Sequence, residues 1–388
     1  MSPRLSSFLD AARWIAAAIV VFDHLRGFVF ADDAQIRHAG ALVKAAFVLT
    51  NIGHQAVMVF FVISGFLVGG LSVHKAQAGR FSLADYAASR FSRIYAVLVP
   101  ALILGGALDL IGSRFADGAG LYTTIGPFHI PSLQFTAPVA DQLGWTTFAA
   151  NLLMLERITS THLGSNGPLW SLAYEWWYYC LFAAALTGWV GKGRVVRILA
   201  IGVAVAILAG LPLRISLWAV VWALGVAGGA YLRAGLPRPS PRLGAVAFLV
   251  GLAASKGLHH FEVPGASILI PFAGDLAAGL GFAVMMVGWA SGSKPLPLAR
   301  FHRWAADFSY SVYLAHFPFL LLVMALLHDR LGVPLAAQPN LGGLALMGGL
   351  FVLIIAYCYA FSRVFEAYTP QLKALLRRSP RPLAVTAD

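Results

Sequence analysis

Five ionisable residues stand inside long apolar runs: Asp23, His24, Glu175, Asp275 and His316. Such groups are costly in a lipid environment and as a rule mark function. Asp109 and Asp307 lie nearer the run ends, where placement at a membrane interface accounts for them. Arg13 precedes His24 by 11 positions in Asp10-Ala11-Ala12-Arg13-Trp14 through Asp23-His24. In a helix that separation is about 20° past three full turns and roughly 16 Å of rise. Both side chains then share one stripe, a cation at one end and a titratable imidazole towards the other. The plainer alternatives are a snorkelling anchor for Arg13 and an inter-helix hydrogen bond for His24.

Glu175 lies in Asn166-Gly167-Pro168-Leu169-Trp170-Ser171-Leu172-Ala173-Tyr174-Glu175-Trp176-Trp177-Tyr178-Tyr179. Counting helical rise from the outer end of each span places Glu175 and His24 at similar depth, roughly 9–12 Å down. An imidazole is then one possible partner for the carboxyl. The rings and hydroxyls around it suit a sugar, and equally suit an interfacial aromatic belt. Arg90 and Arg93 are three apart, so they share a helical face. Two guanidiniums there form a phosphate clamp, or else mark topology or hold lipid head groups. His316 precedes Pro318 in a run of hydroxyls, Ser309-Tyr310-Ser311-Val312-Tyr313, where the proline frees a carbonyl near Leu314. No HExxH, CxxC, GxSxG or Walker pattern occurs, so the motifs support no metal, nucleotide or flavin site.

The elements that must carry these residues follow from composition. The chain has 388 residues, of which 59% are hydrophobic and 11% charged. Soluble domains are about 45–50% apolar and about 25% charged, which excludes a soluble globular fold. With about 20 apolar residues needed per span, the expectation is an all-α polytopic membrane protein of about ten transmembrane helices. The spans are read at 9–30, 52–73, 94–112, 167–190, 195–211, 215–232, 243–258, 266–290, 305–327 and 341–362, with 143–155 as a further short or re-entrant helix. A cytoplasmic N-terminus puts 20 of the 28 Lys and Arg residues inside and 8 outside, as the positive-inside rule requires. Both termini are then cytoplasmic. The net charge of +12 is explained this way and calls for no nucleic acid. The first helix lacks a cleavage site and is read as retained. Cys180 and Cys358 both fall in apolar runs, so no disulfide framework is expected. Residues 113–166 form the longest connection, on the outer side, and read as a lid or else a plain connector. The division is one transmembrane domain, 1–365, and a basic cytoplasmic tail, 366–388.

Taken together, these motifs resemble acyltransferase family 3, the bacterial integral-membrane O-acyltransferases. Arg13 and His24 are similar to that family's first-helix signature. Phe60-Phe61-Val62-Ile63-Ser64-Gly65-Phe66-Leu67 resembles its second-helix motif, and Arg90-x-x-Arg93-Ile94 its cytoplasmic arginine pair. Pro168-Leu169-Trp170-Ser171-Leu172 with Glu175 and Tyr179 resembles its glutamate motif. Ser309-Tyr310-Ser311-Val312-Tyr313-Leu314-x-His316-x-Pro318 resembles its late-helix signature. Trp176 and Met58 stand where the family often has acidic residues.

The resemblance implies transfer of an acyl group, usually acetyl, from cytoplasmic acyl-CoA to a hydroxyl of a sugar or surface polysaccharide. Acyl-CoA is then a co-substrate, and no cofactor or metal is permanently bound. The expected roles are His24 as general base and Glu175 as its orienting acid. Arg13, Arg90 and Arg93 hold the CoA phosphates, and Ser171, Tyr179, Ser64 and His316 are candidates to donate to the oxyanion. The rival reading is a proton-coupled transporter of a small polar substrate, with His24, Glu175 and Asp275 as relay. Transporters often carry two similar halves, which this sequence lacks.

Overall fold

The computed structural model describes residues 1–31, 36, 40, 43, 46, 47, 50–123, 137–261 and 265–377. Among them the chain is helical, with isolated bridges and no strand. Among the described residues eight helical segments are long and apolar enough to cross a membrane. The first is α1 (Pro3–Val29), opened by Ser2, whose side chain accepts from the Leu5 amide, and by Pro3 in the first turn. The second joins α2 (Gly53–Ser64), a π-helical turn over Gly65–Gly70, and α3 (Leu71–Gln77). Next come α4 (Leu83–Phe115), then a short α5 (Trp145–Leu152), α6 (Trp170–Val190) and α7 (Arg194–Gly210). They are followed by α8 (Leu213–Arg233), α9 (Pro241–Leu258) and α10 (Leu269–Trp289). A short α11 (Ala299–Asp307) leads to α12 (Ser309–Leu331) and α13 (Leu341–Val364), and α14 (Thr369–Arg377) closes the described chain.

The fourth and fifth spans read from sequence correspond to α6 and α7, which fall outside the set of eight. Helix α6 is rich in Trp and Tyr, and α7 has only 17 residues, none of them buried. The other eight spans match the apolar helices. The all-α membrane class is as expected.

The core is built on α1 and α12. Leu320, Leu321 and Met324 of α12 are fully buried, as are Val21, Leu25 and Phe28 of α1. Small residues let neighbouring helices close up. A Cβ on Gly65 would collide with the Trp222 carbonyl, and one on Gly225 with the Val62 carbonyl, so α8 crosses the π turn backbone to backbone. Gly244, Gly251 and Gly281 do the same between α9 and α10.

Described parts of the outer connection are tied into the helices. The sequence places Asp109 at an interface, but it is fully buried. Its carboxylate accepts from both the amide and the hydroxyl of Ser165, each at 2.7 Å. Asn166 donates to the Leu314 carbonyl at 2.9 Å, and the Leu152 carbonyl accepts from Tyr95 of α4 at 2.9 Å. Helix α5 therefore packs its C-terminal end against α4, where a short or re-entrant helix was expected at 143–155. Helix α6 starts from the level of Leu314. Residues 124–136, where the lid reading centred on Gly126, Pro127, Phe128, His129 and Pro131, lie outside the described residues.

Candidate active site

Two cavities meet around Tyr313. The inner one, about 160 Å³, is lined by Arg13 from α1, Ser64 from α2, Arg90 and Arg93 from α4, and Ser171, Glu175 and Tyr179 from α6, with Tyr310 and Tyr313 of α12. The outer one, about 320 Å³, is lined by Asp23 and His24 of α1, His54 of α2, Arg157, His162, Trp170 and again Tyr313. Seven of the nine residues singled out from sequence thus share one chamber. His24 lies in the other.

Inside the inner cavity the hydroxyls are ordered into a line. Tyr179 donates to Glu175 at 2.6 Å, since a carboxylate only accepts. Its oxygen is then free to accept from Ser64, 2.9 Å away, and Ser64 in turn accepts from the Trp222 indole at 3.0 Å. The direction runs Trp222, Ser64, Tyr179, Glu175. Arg90 lies over the Tyr179 ring, its guanidinium 5.7 Å from the centroid. Arg93 pairs with Glu366 at 2.5 Å and lies over Tyr310. Glu366 is buried, and also accepts from the Ser311 hydroxyl at 2.6 Å, so the chain just past α13 folds back onto this chamber. Arg13 pairs with Asp10 at 2.6 Å.

The wall between the cavities is also hydrogen-bonded. Tyr313 donates to the Pro168 carbonyl at 2.9 Å, so Ser171, at 2.7 Å, donates to the Tyr313 oxygen.

His24 has a different partner from the one expected. Its Nδ1 lies 2.8 Å from Nε2 of His316, with the rings stacked at 18°. The His316 Nδ1 faces two carbonyl oxygens, Val312 at 2.8 Å and Tyr313 at 3.0 Å. Carbonyls accept only, so Nδ1 of His316 carries hydrogen and its Nε2 is an acceptor. His24 must then donate through Nδ1, which leaves its own Nε2 as a lone pair. His316 is fully buried and fixes the tautomer of the residue beside it.

Glu175, by contrast, lines the inner cavity and bonds to Tyr179. The similar depth inferred for His24 and Glu175 fails because α6 begins well below the outer surface. The pairing of His24 with Glu175 is therefore replaced by His24 with His316. His316 is also unsuited to donate to an oxyanion, because its N–H is spent on the backbone.

Sequence reasoning quoted Tyr313 without giving it a role, and passed over His54, His259 and Trp222. His54 and Asp275 are 221 positions apart, so no local motif joins them. In the outer chamber, burial pushes the His162 imidazole down to about 4, with Arg157 adding to the effect. It is neutral at physiological pH.

A family model described as Acyltransferase domain matches residues 6–363. The chain belongs to this family, acyltransferase family 3. It is 26% identical to Acyltransferase MdmB of Streptomyces mycarofaciens, an alignment that spans 100% of this chain and 97% of that protein. It is 27% identical to the O-acetyl transferase of Shigella phage Sf6 over 47% of this chain and 46% of that protein. No solved structure matches the chain significantly. The protein is thus a multi-pass membrane acyltransferase.

Proposed function

We propose that the protein moves an acyl group, acetyl in the simplest case, from cytoplasmic acyl-CoA to a hydroxyl of a sugar or surface polysaccharide. It does so in the inner membrane, with both termini on the cytoplasmic side. The observation that carries the reading is the tautomer of His24. A lone pair on Nε2, held by a buried second imidazole, is what a general base needs.

In this reading, the acceptor hydroxyl enters the outer chamber and gives its proton to His24 Nε2. Its oxygen attacks the thioester carbonyl. The thioester C–S bond breaks, and the CoA thiolate takes the proton back from the imidazolium. His316 positions the base, a role the sequence assigned to Glu175. The donor enters from the inner chamber, where Arg13, Arg90 and Arg93 supply positive charge for its phosphates. Glu175 holds Tyr179, and through it Ser64, in one orientation. Trp170 and Arg157, the guanidinium 5.5 Å over the ring, both line the outer chamber and offer a sugar an aromatic edge and hydrogen-bond donors. The Sf6 relative is an O-acetyl transferase by name, which supports acetyl as the group moved.

The test is CoA release by purified protein with candidate glycan acceptors. His24→Ala is expected to lower acceptor-dependent release by about 10²–10⁴-fold at unchanged membrane abundance. Near wild-type release from that variant would remove His24 as the base.

A further inference from the structure

The outer face holds a second cluster that transfer does not use. His54 is in the first turn of α2, His259 caps the end of α9, and Asp275 belongs to α10. His54 Nε2 lies 2.7 Å from one oxygen of Asp275, and His259 Nε2 lies 3.1 Å from the other. The ligand atoms of all three residues fall within 4.8 Å of one another. Asp275 is fully buried, whereas the histidine side chains are 35% and 29% exposed.

We propose that His54, His259 and Asp275 form a binding site for a divalent transition metal, with zinc as the ion. Two imidazoles and a carboxylate are a zinc donor set, and bond lengths of about 2.0–2.2 Å put such donors roughly 3.4 Å apart. The two His–Asp contacts, at 2.7 and 3.1 Å, are somewhat shorter than that value, and all three donors already lie within 4.8 Å of one another, so small side-chain rotations suffice. The carboxylate is already oriented from behind by the Trp218 indole, which donates to it at 2.8 Å. Such an outer contact is typical of metal sites. Among the described residues the hydrogen-bond partners of Asp275 are His54, His259 and Trp218, none with a fixed positive charge. A buried carboxylate needs a compensating charge, and a divalent cation supplies it.

The frame is also built in advance. Gln55 of α2 donates to Ser255 of α9 at 3.0 Å, and Lys256 donates to the Asn51 carbonyl at 2.7 Å. The ion would clamp α2, α9 and α10 at their outer ends. His54 also lines the outer chamber, so the remaining coordination position faces acceptor space and takes water. This site is independent of the roles assigned to His24 and the arginines.

The experiment uses the full chain in detergent, purified without a polyhistidine tag and stripped with a chelator. Zinc is titrated and its content measured by mass spectrometry, and cobalt serves as the spectroscopic probe. The expected result is one equivalent bound, tetrahedral cobalt absorption and a raised Tm. His54→Ala and His259→Ala should each weaken binding by at least about 100-fold, and Trp218→Phe by about 10- to 100-fold. Asp275→Asn leaves a buried amide and risks misfolding, so the partly exposed His259 carries the decisive variant. Folded wild-type protein that takes up no zinc overturns the site and leaves a hydrogen-bonded His–Asp–His triad. Equal binding by wild type and His259→Ala overturns it as well.

Discussion

At the scale of single residues, the chemistry rests on which hydrogen points where. In the proposed reaction His24 serves as the base because His316 spends its own N–H on the backbone of the preceding turn. The arginine pair divides in a similar way. Arg93 is committed to Glu366, whereas Arg90 stands over Tyr179 at the cavity edge. Replacing Arg90 by Ala should therefore raise the KM for acyl-CoA, roughly 10- to 150-fold for one lost charge-assisted bond of about 1.5–3 kcal/mol, with little change in the acceptor KM. Arg93→Ala should do this and also lower Tm and yield, because it strips a partner from the buried Glu366, at roughly 1–3 kcal/mol. Initial-rate kinetics with each substrate varied, beside thermal unfolding, separates the two. An unchanged donor KM in Arg90→Ala would sink the clamp. Most of the residues that line the two chambers could be singled out from sequence because each sits in a compact motif. The partners could not, since Glu366 and Arg93 are 273 positions apart and His24 and His316 are 292 apart.

At the scale of elements, the apolar helices could be read from runs of about 20 residues, but depth could not. The depth argument assumed that each span starts at the membrane surface. Asp109 and Ser165 break that assumption by drawing the outer connection down to the level of Leu314. Glu175 then belongs to the arginine chamber. The π turn at Gly65–Gly70 was equally hidden, because a local change of helical pitch leaves no mark on hydropathy. It sits where α8 passes closest. Gly65→Ala would push a methyl group into the Trp222 carbonyl, and backbone cannot swing aside as a side chain can. The expected loss is about 1–3 kcal/mol of stability, seen as lower Tm and poorer monodispersity in size exclusion. Gly202→Ala on the exposed α7, where a Cβ meets nothing within 4 Å, is the control that should change little. Similar behaviour of both variants would mean that the α2–α8 crossing is not tight.

At the scale of the whole molecule, the two chambers share a single lining residue, Tyr313. A transferase that spans a membrane must let an acyl group pass while keeping water away from the thioester. Tyr313 is placed to do this. It lines both cavities, and its hydroxyl is locked by Pro168 and Ser171 so that the ring stays across the gap. Removing the ring and removing only the hydroxyl should therefore have different consequences. Tyr313→Ala joins the chambers, so acyl-CoA hydrolysis without acceptor should rise severalfold while transfer falls. Tyr313→Phe keeps the ring and loses two hydrogen bonds of about 1 kcal/mol each, so transfer should stay coupled even if Tm drops. The ratio of CoA released to acyl group recovered on the acceptor measures the coupling directly. A ratio that stays at the wild-type value in Tyr313→Ala would mean that the barrier to water lies elsewhere, and the two chambers would no longer need Tyr313 to separate them.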